Sequence, residues 1–162
     1  MLLCITASCY NPDDGEFTQP ITLYESIAGR WSLTGLTMTD ELAVATNISP
    51  SKQNIGGYFN YADFVLDLNA DSGFNPTNYK VNGDVPPLFP ATGYWKLSND
   101  FQQTNSMGTS IFLYQDAQKT VKTGELKVVS VPGSSNEMEL QLVRVSGGAP
   151  IISYNFKLKA ID

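Results

Sequence analysis

Gly29-Arg30-Trp31-Ser32-Leu33-Thr34-Gly35-Leu36-Thr37 is the stretch that decides the fold. It reads as the first strand of a sheet, entered from a short helical turn over 21–28. Gly29 lets the backbone turn sharply out of that helix. Trp31, two residues on, is large enough to plug one end of a barrel. A second Gly-x-Trp, Gly93-Tyr94-Trp95, opens another strand later in the chain.

Working outward from that strand, 38–61 is a long connection. One or two helical turns are expected over 40–46, and Ser49-Pro50-Ser51 and Gly56-Gly57 break the rest. Its far end carries Tyr58, Phe59 and Tyr61, which either pack the loop onto the domain or form a candidate lid over a binding mouth. Phe64, Leu66 and Leu68 then alternate with Asp63 and Asp67, as in a half-buried strand. Asn69-Ala70-Asp71-Ser72-Gly73 reads as a hairpin turn. The return strand over 74–81 is interrupted at Asn75-Pro76, which implies a bulge or an edge. Pro86, Pro87 and Pro90 make 82–92 an extended loop.

Strands follow over 93–97, 109–115, 121–131, 137–142 and 152–159. Trp95 and Leu97 point inward in the first of these. Ile111, Phe112, Leu113 and Tyr114 leave the inward face of the second ambiguous. The last two alternate cleanly. About eight strands in sequential antiparallel order result, with one dry and one wet face. An all-β, eight-stranded antiparallel up-and-down barrel is the simplest closure, with a two-layer sandwich as the alternative.

The whole chain agrees with this reading. Its 162 residues suit one domain, and charged residues make up only 16% against 11% aromatic. Ten basic and 16 acidic side chains give a formal charge of −6, which disfavours nucleic acid and anionic lipid as partners. No apolar run is long enough to span a membrane as a helix. The only two cysteines are Cys4 and Cys9, so the body of the fold is not held by an internal disulfide or a thiolate metal site.

Met1-Leu2-Leu3-Cys4-Ile5-Thr6-Ala7-Ser8-Cys9 has the look of the end of a secretory signal. Thr6-Ala7-Ser8-Cys9 resembles a bacterial lipobox, in which Cys9 is lipidated, although Thr6 departs from the usual Leu, Val or Ile. A plain N-terminal segment with a buried Cys9 is the alternative. Tyr10-Asn11-Pro12-Asp13-Asp14-Gly15-Glu16 reads as a flexible acidic tether. The expected division is a signal remnant and tether over 1–20 and a barrel domain over 21–162. The expected address is the bacterial cell envelope, lipid-anchored, at the outer membrane and facing the periplasm or the cell surface.

Gly29-x-Trp31 after a helical turn resembles the first-strand signature of lipocalins. Taken with the strand and hairpin over 64–74, Gly93-Tyr94-Trp95-Lys96-Leu97 and the paired strands to the end, it is similar to lipocalin-like domains of unknown function in Bacteroides-type lipoproteins. That resemblance covers about 21–160. It implies a small barrel on a lipid anchor, with no established catalytic residues. It implies structural roles for Gly29, Trp31 and Gly93.

Side chains for chemistry are scarce. The chain has no histidine, which removes the usual general base and zinc ligand. Asp63 with Asp67, and Glu137 with Glu139, are carboxylate pairs on polar strand faces and read as solvated charges. Asp67, Asn69 and Asp71 mimic the start of an EF-hand loop, but Ser72 and Asn78 stand where that loop needs Gly and Glu. No metal or cofactor is expected. Asn47-Ile48-Ser49 is a glycosylation sequon without meaning in a bacterial protein, and Tyr58, Tyr61 and Tyr94 are candidates for stacking on sugars.

The expected function is therefore non-enzymatic. In the first reading a monomeric barrel binds a small apolar or amphipathic molecule through Leu33, Phe64, Leu66, Trp95, Leu140, Leu142, Tyr154 and Phe156. Tyr58, Phe59 and Tyr61 would cover it, over an internal cavity of a few hundred Å³. In the second, the barrel is a scaffold whose loops contact an envelope protein or glycan through an exposed patch on the 58–61 or 86–89 loop.

Overall fold

A computed structural model describes residues 21–102 and 108–161. The segment carrying Cys4 and Cys9 lies outside the described residues. In chain order the elements are α1 (Leu23–Ile27), β1 (Gly29–Asp40), α2 (Glu41–Ala45), β2 (Lys52–Asn54), β3 (Val65–Ala70), β4 (Pro76–Asn82), β5 (Thr92–Leu97), β6 (Thr109–Tyr114), β7 (Lys122–Ser130), β8 (Glu137–Ser146) and β9 (Ala149–Ile161). A 3₁₀ turn, Tyr61–Asp63, leads into β3.

From β3 to β9 each strand pairs antiparallel with the next, and β1 closes the ring by pairing with β3 on one side and β9 on the other. The result is a closed eight-stranded antiparallel barrel with β2 as one extra strand. β2 lies along the far half of β1, with Met38 opposite Gln53.

The register along β1 explains how so mixed a sequence lines a core. Trp31 and Leu33 stand opposite Ala160 and Leu158, whereas Leu36 and Met38 stand opposite Phe156 and Tyr154. Thr34 is the extra residue between these two registers. Its bulge switches the inward parity of the strand, so that odd-numbered Trp31 and even-numbered Leu36 both face the core. Both are buried.

One end of the barrel is sealed by α1. Thr22 and Glu25 form a capping box at its start, which satisfies the first exposed N–H groups. Ile27 is fully buried beneath it, and Trp31 Nε1 donates to the Ile27 carbonyl at 2.9 Å. The Tyr24 ring packs tilted against Trp95 with centroids 5.7 Å apart, and its hydroxyl accepts from the Leu97 N–H at 3.1 Å. Trp95 Nε1 in turn donates to the Asn69 carbonyl at 2.8 Å. Both tryptophans thus bury an apolar body and find an acceptor for their single donor.

Two local expectations are corrected. The return strand of the first hairpin starts at Pro76, not at Phe74. Asp71 organises the turn instead: its Oδ1 accepts from the N–H groups of Gly73 and Asn75 at 2.8 and 2.9 Å. Phe74 sits within that turn at φ 58° and is exposed. The 82–92 loop does not offer Phe89 to solvent, since Phe89 is packed into the core.

Candidate functional site

The end of the barrel opposite α1 is built differently. β1 ends at Asp40, whose carboxylate accepts from the Ala43 N–H at 2.9 Å and so starts α2. β2 then runs back beside β1, and the chain crosses to β3 through Tyr58, Phe59 and the 3₁₀ turn. This crossing, together with the loop between β4 and β5, forms a rim over the barrel mouth.

A cleft of about 460 Å³ lies at this rim, lined by Met38, Gln53, Ile55, Tyr58, Phe59, Tyr61, Leu88 and Tyr154. Its walls are apolar and none of its lining groups is charged at neutral pH. Tyr58 and Phe59 are 56% and 68% exposed, unusual for side chains of that size, whereas Tyr61 is buried. The Phe59 ring lies 6.4 Å from each of its two neighbours, tilted against Tyr58 and edge-on to Tyr61.

One polar group of the cleft is committed. Tyr61 Oη donates to the Pro86 carbonyl at 3.2 Å. Burial raises the pKa of that hydroxyl, and the neighbouring Tyr154 raises it further, so Tyr61 stays a neutral donor at physiological pH. The Gln53 amide and the hydroxyls of Tyr58 and Tyr154 have no hydrogen-bond partner among the described residues. An apolar cleft with a few such uncharged polar groups is suited to a neutral molecule with an apolar body and one or two hydrogen-bonding groups.

The residues expected to line a ligand site separate into three sets. Phe64, Leu66, Trp95, Leu140, Leu142 and Phe156 are buried together in the packed core. Leu33 is half-buried and borders a smaller cleft of about 200 Å³ beside Gly35, Asn54, Gly56 and Tyr61. Tyr154, Tyr58, Phe59 and Tyr61 come together at the rim cleft. Met38, Gln53, Ile55 and Leu88 join them there without having been singled out from the sequence. Met38 had a usable signal, since it extends the Leu36 alternation after the bulge. Gln53 and Leu88 lie in a three-residue strand and a proline-rich loop, where no periodicity marks them.

Gly29 and Gly93 serve the backbone in different ways. Gly29 has φ +141° and open space around it. Gly93 faces a crowded site, where a Cβ would stand 2.4 Å from the Tyr114 carbonyl oxygen and 2.8 Å from the Tyr79 ring.

Among the described residues no group of three or more Cys, Asp or Glu side chains is placed to hold a metal ion. Asp67 is engaged by Arg30 at 3.1 Å and by the Asn82 amide at 2.8 Å, and Asp71 is engaged by its own turn.

These features define a closed β-barrel with an apolar, uncharged cleft at its mouth. The chain belongs to the family described as a domain of unknown function (DUF5004), whose model matches residues 7–159. No curated protein and no solved structure matches the chain.

Proposed function

We propose that this protein is a non-enzymatic binding module of the bacterial cell envelope, tethered by a lipid on Cys9, and that its rim cleft holds a small neutral molecule of apolar or amphipathic character. The observation that carries this reading is the exposure of Tyr58 and Phe59 beside the polar groups of Gln53, Tyr58 and Tyr154, which have no hydrogen-bond partner among the described residues. Exposed aromatic rings around a concave apolar floor are costly to leave in water and are repaid by a ligand. The lipid tether is supported by Thr6-Ala7-Ser8-Cys9 and the acidic segment after it.

The test is a fluorescence titration of the full chain with the neutral probe N-phenyl-1-naphthylamine. Saturable enhancement in the wild type, weakened about tenfold or more in Phe59→Ser, is the expected result, since an aromatic wall contributes on the order of 1.4 kcal/mol or more. Equal binding by both proteins overturns the reading.

A second reading has its own observation. Leu42, Val44 and Ile48 are also exposed, close in sequence to the rim strands β1 and β2. A protein or glycan of the envelope would then be the partner, and the same Phe59→Ser variant would lose its capture without any change in small-molecule binding.

A further inference from the structure

The mouth of the barrel is stopped by a side chain that belongs to no strand. The loop between β4 and β5 is mostly exposed, yet its Phe89 is only 8% exposed. The Phe89 ring stands 6.4 Å from Phe64, 6.4 Å from Tyr79 and 6.1 Å from Phe156. Phe64 and Phe156 are themselves 5.8 Å apart. Three rings of the barrel wall therefore form a box, and a loop supplies the ring that fills it.

That loop is held by few bonds. The carbonyls of Pro86 and Pro90 accept from the hydroxyls of Tyr61 and Tyr79 at 3.2 and 2.9 Å, and the Leu88 carbonyl accepts from the Arg144 guanidinium. No backbone N–H of 83–90 donates to another backbone group among the described residues. Pro86, Pro87 and Pro90 have no N–H to satisfy. The loop can therefore lift without stranding a ladder of backbone donors. Leu88, the residue next to the plug, lines the rim cleft. Whatever fills the cleft presses on the segment that carries Phe89.

We propose that Phe89 is a displaceable plug, and that the space it fills is the inner half of the rim site, built for a flat apolar ring carried by a neutral ligand. The proposal rests on the rim cleft being a binding site. A ligand ring that takes the place of the phenyl ring recovers the same tilted and edge-on contacts with Phe64, Tyr79 and Phe156. An aliphatic chain does not, so the device selects ligands that end in a ring. The plugged state lowers apparent affinity by the fraction of molecules in which Phe89 is in place. The ligand moves the plug only because it binds the open state better.

The experiment places 4-fluorophenylalanine at position 89 of the full chain and follows its ¹⁹F resonance during the N-phenyl-1-naphthylamine titration. The expected result is a shift from a ring-shielded to a solvent-exposed position in step with the fluorescence. Phe89→Ala should bind the probe roughly tenfold tighter, because the plugged state is absent. Probe binding with an unmoved ¹⁹F resonance overturns the plug and leaves the cleft reading intact. Binding by Phe89→Ala alone also overturns it, because the plug then does not yield to a ligand. Binding by neither protein overturns the plug and the cleft reading together.

Discussion

Trp31 donates its indole N–H to the carbonyl of Ile27, four residues earlier, at 2.9 Å. The bond joins the helix that seals the barrel to the strand that closes it. Trp31→Phe keeps much of the apolar area and strands a buried carbonyl, for an expected loss of about 1–3 kcal/mol. Trp31→Ala also leaves a cavity and should cost about 3–5 kcal/mol. The midpoint of urea unfolding checks both. Equal stability of Trp31→Phe and the wild type would deny the bond any weight.

Glycines of the chain should divide sharply under alanine substitution. Gly93→Ala puts a methyl group 2.4 Å from the Tyr114 carbonyl oxygen. Gly83→Ala meets the Asp63 carbonyl oxygen at 2.3 Å and has φ +99° as well. Backbone cannot give way as a side-chain tip can, so each should cost at least about 2 kcal/mol. Gly133→Ala finds no atom within 4 Å and should lie within about 0.5 kcal/mol of the wild type. Thermal melting of the three variants gives the ranking, and a Gly93→Ala protein as stable as Gly133→Ala would contradict it.

The barrel was legible because most of its strands announce their faces. Phe64, Leu66 and Leu68 sit on one face with Asp63 and Asp67 on the other, and Met138, Leu140 and Leu142 alternate with Glu137, Glu139 and Gln141; all six apolar residues are buried. β2 was not legible, because Lys52, Gln53 and Asn54 are all exposed and leave no period to read. The inward face of β6 was ambiguous for a physical reason. Phe112 and Tyr114, on its outer face, are half-buried, and Ser110 beside them is buried and donates to Glu125 at 2.7 Å, so the outer face is partly covered as well. Phe89 was expected in an exposed patch because a proline-rich loop carries no alternation, whereas its burial depends on the box of rings it meets across the fold. The rim cleft was half legible. Its aromatics stood out by type, while Gln53 and Leu88 are assigned only by the path of the chain.

Acid should weaken the fold in one window only. The Asp71 carboxyl is held below the usual range, first by the Asn75 side chain and then by the N–H groups of its turn. Asp116 is lowered chiefly by the Val121 N–H, and Glu125 chiefly by its bond to Lys122. A folded pKa below the unfolded one gives stability that is complete above the unfolded value, about 4 for carboxylates, and is lost as the pH falls through the folded value. The chain has no histidine to titrate at milder pH. The thermal midpoint should therefore stay flat from about pH 8 to about pH 5 and fall below about pH 4. Asp71→Ala and Asp116→Ala should each flatten part of that fall. A drop between about pH 8 and about pH 6 would be inconsistent with this set of groups.

The proposed lipid tether and the rim make a joint prediction. The chain enters the barrel through α1, at the end opposite the cleft, and Met38 at the cleft stands nine residues along β1 from Gly29. That separation is about 30 Å along the strand. A lipid on Cys9 would attach the barrel at its sealed end, through a tether long enough to clear the membrane, so Tyr58 and Phe59 are expected to stay accessible. In cells, Cys9→Ser should move the protein from the membrane fraction to the soluble fraction. A cysteine-reactive label on Phe59→Cys should still be accessible in the anchored protein. Unchanged fractionation of Cys9→Ser would remove the anchor, and a label blocked only in the membrane-bound form would contradict that accessibility.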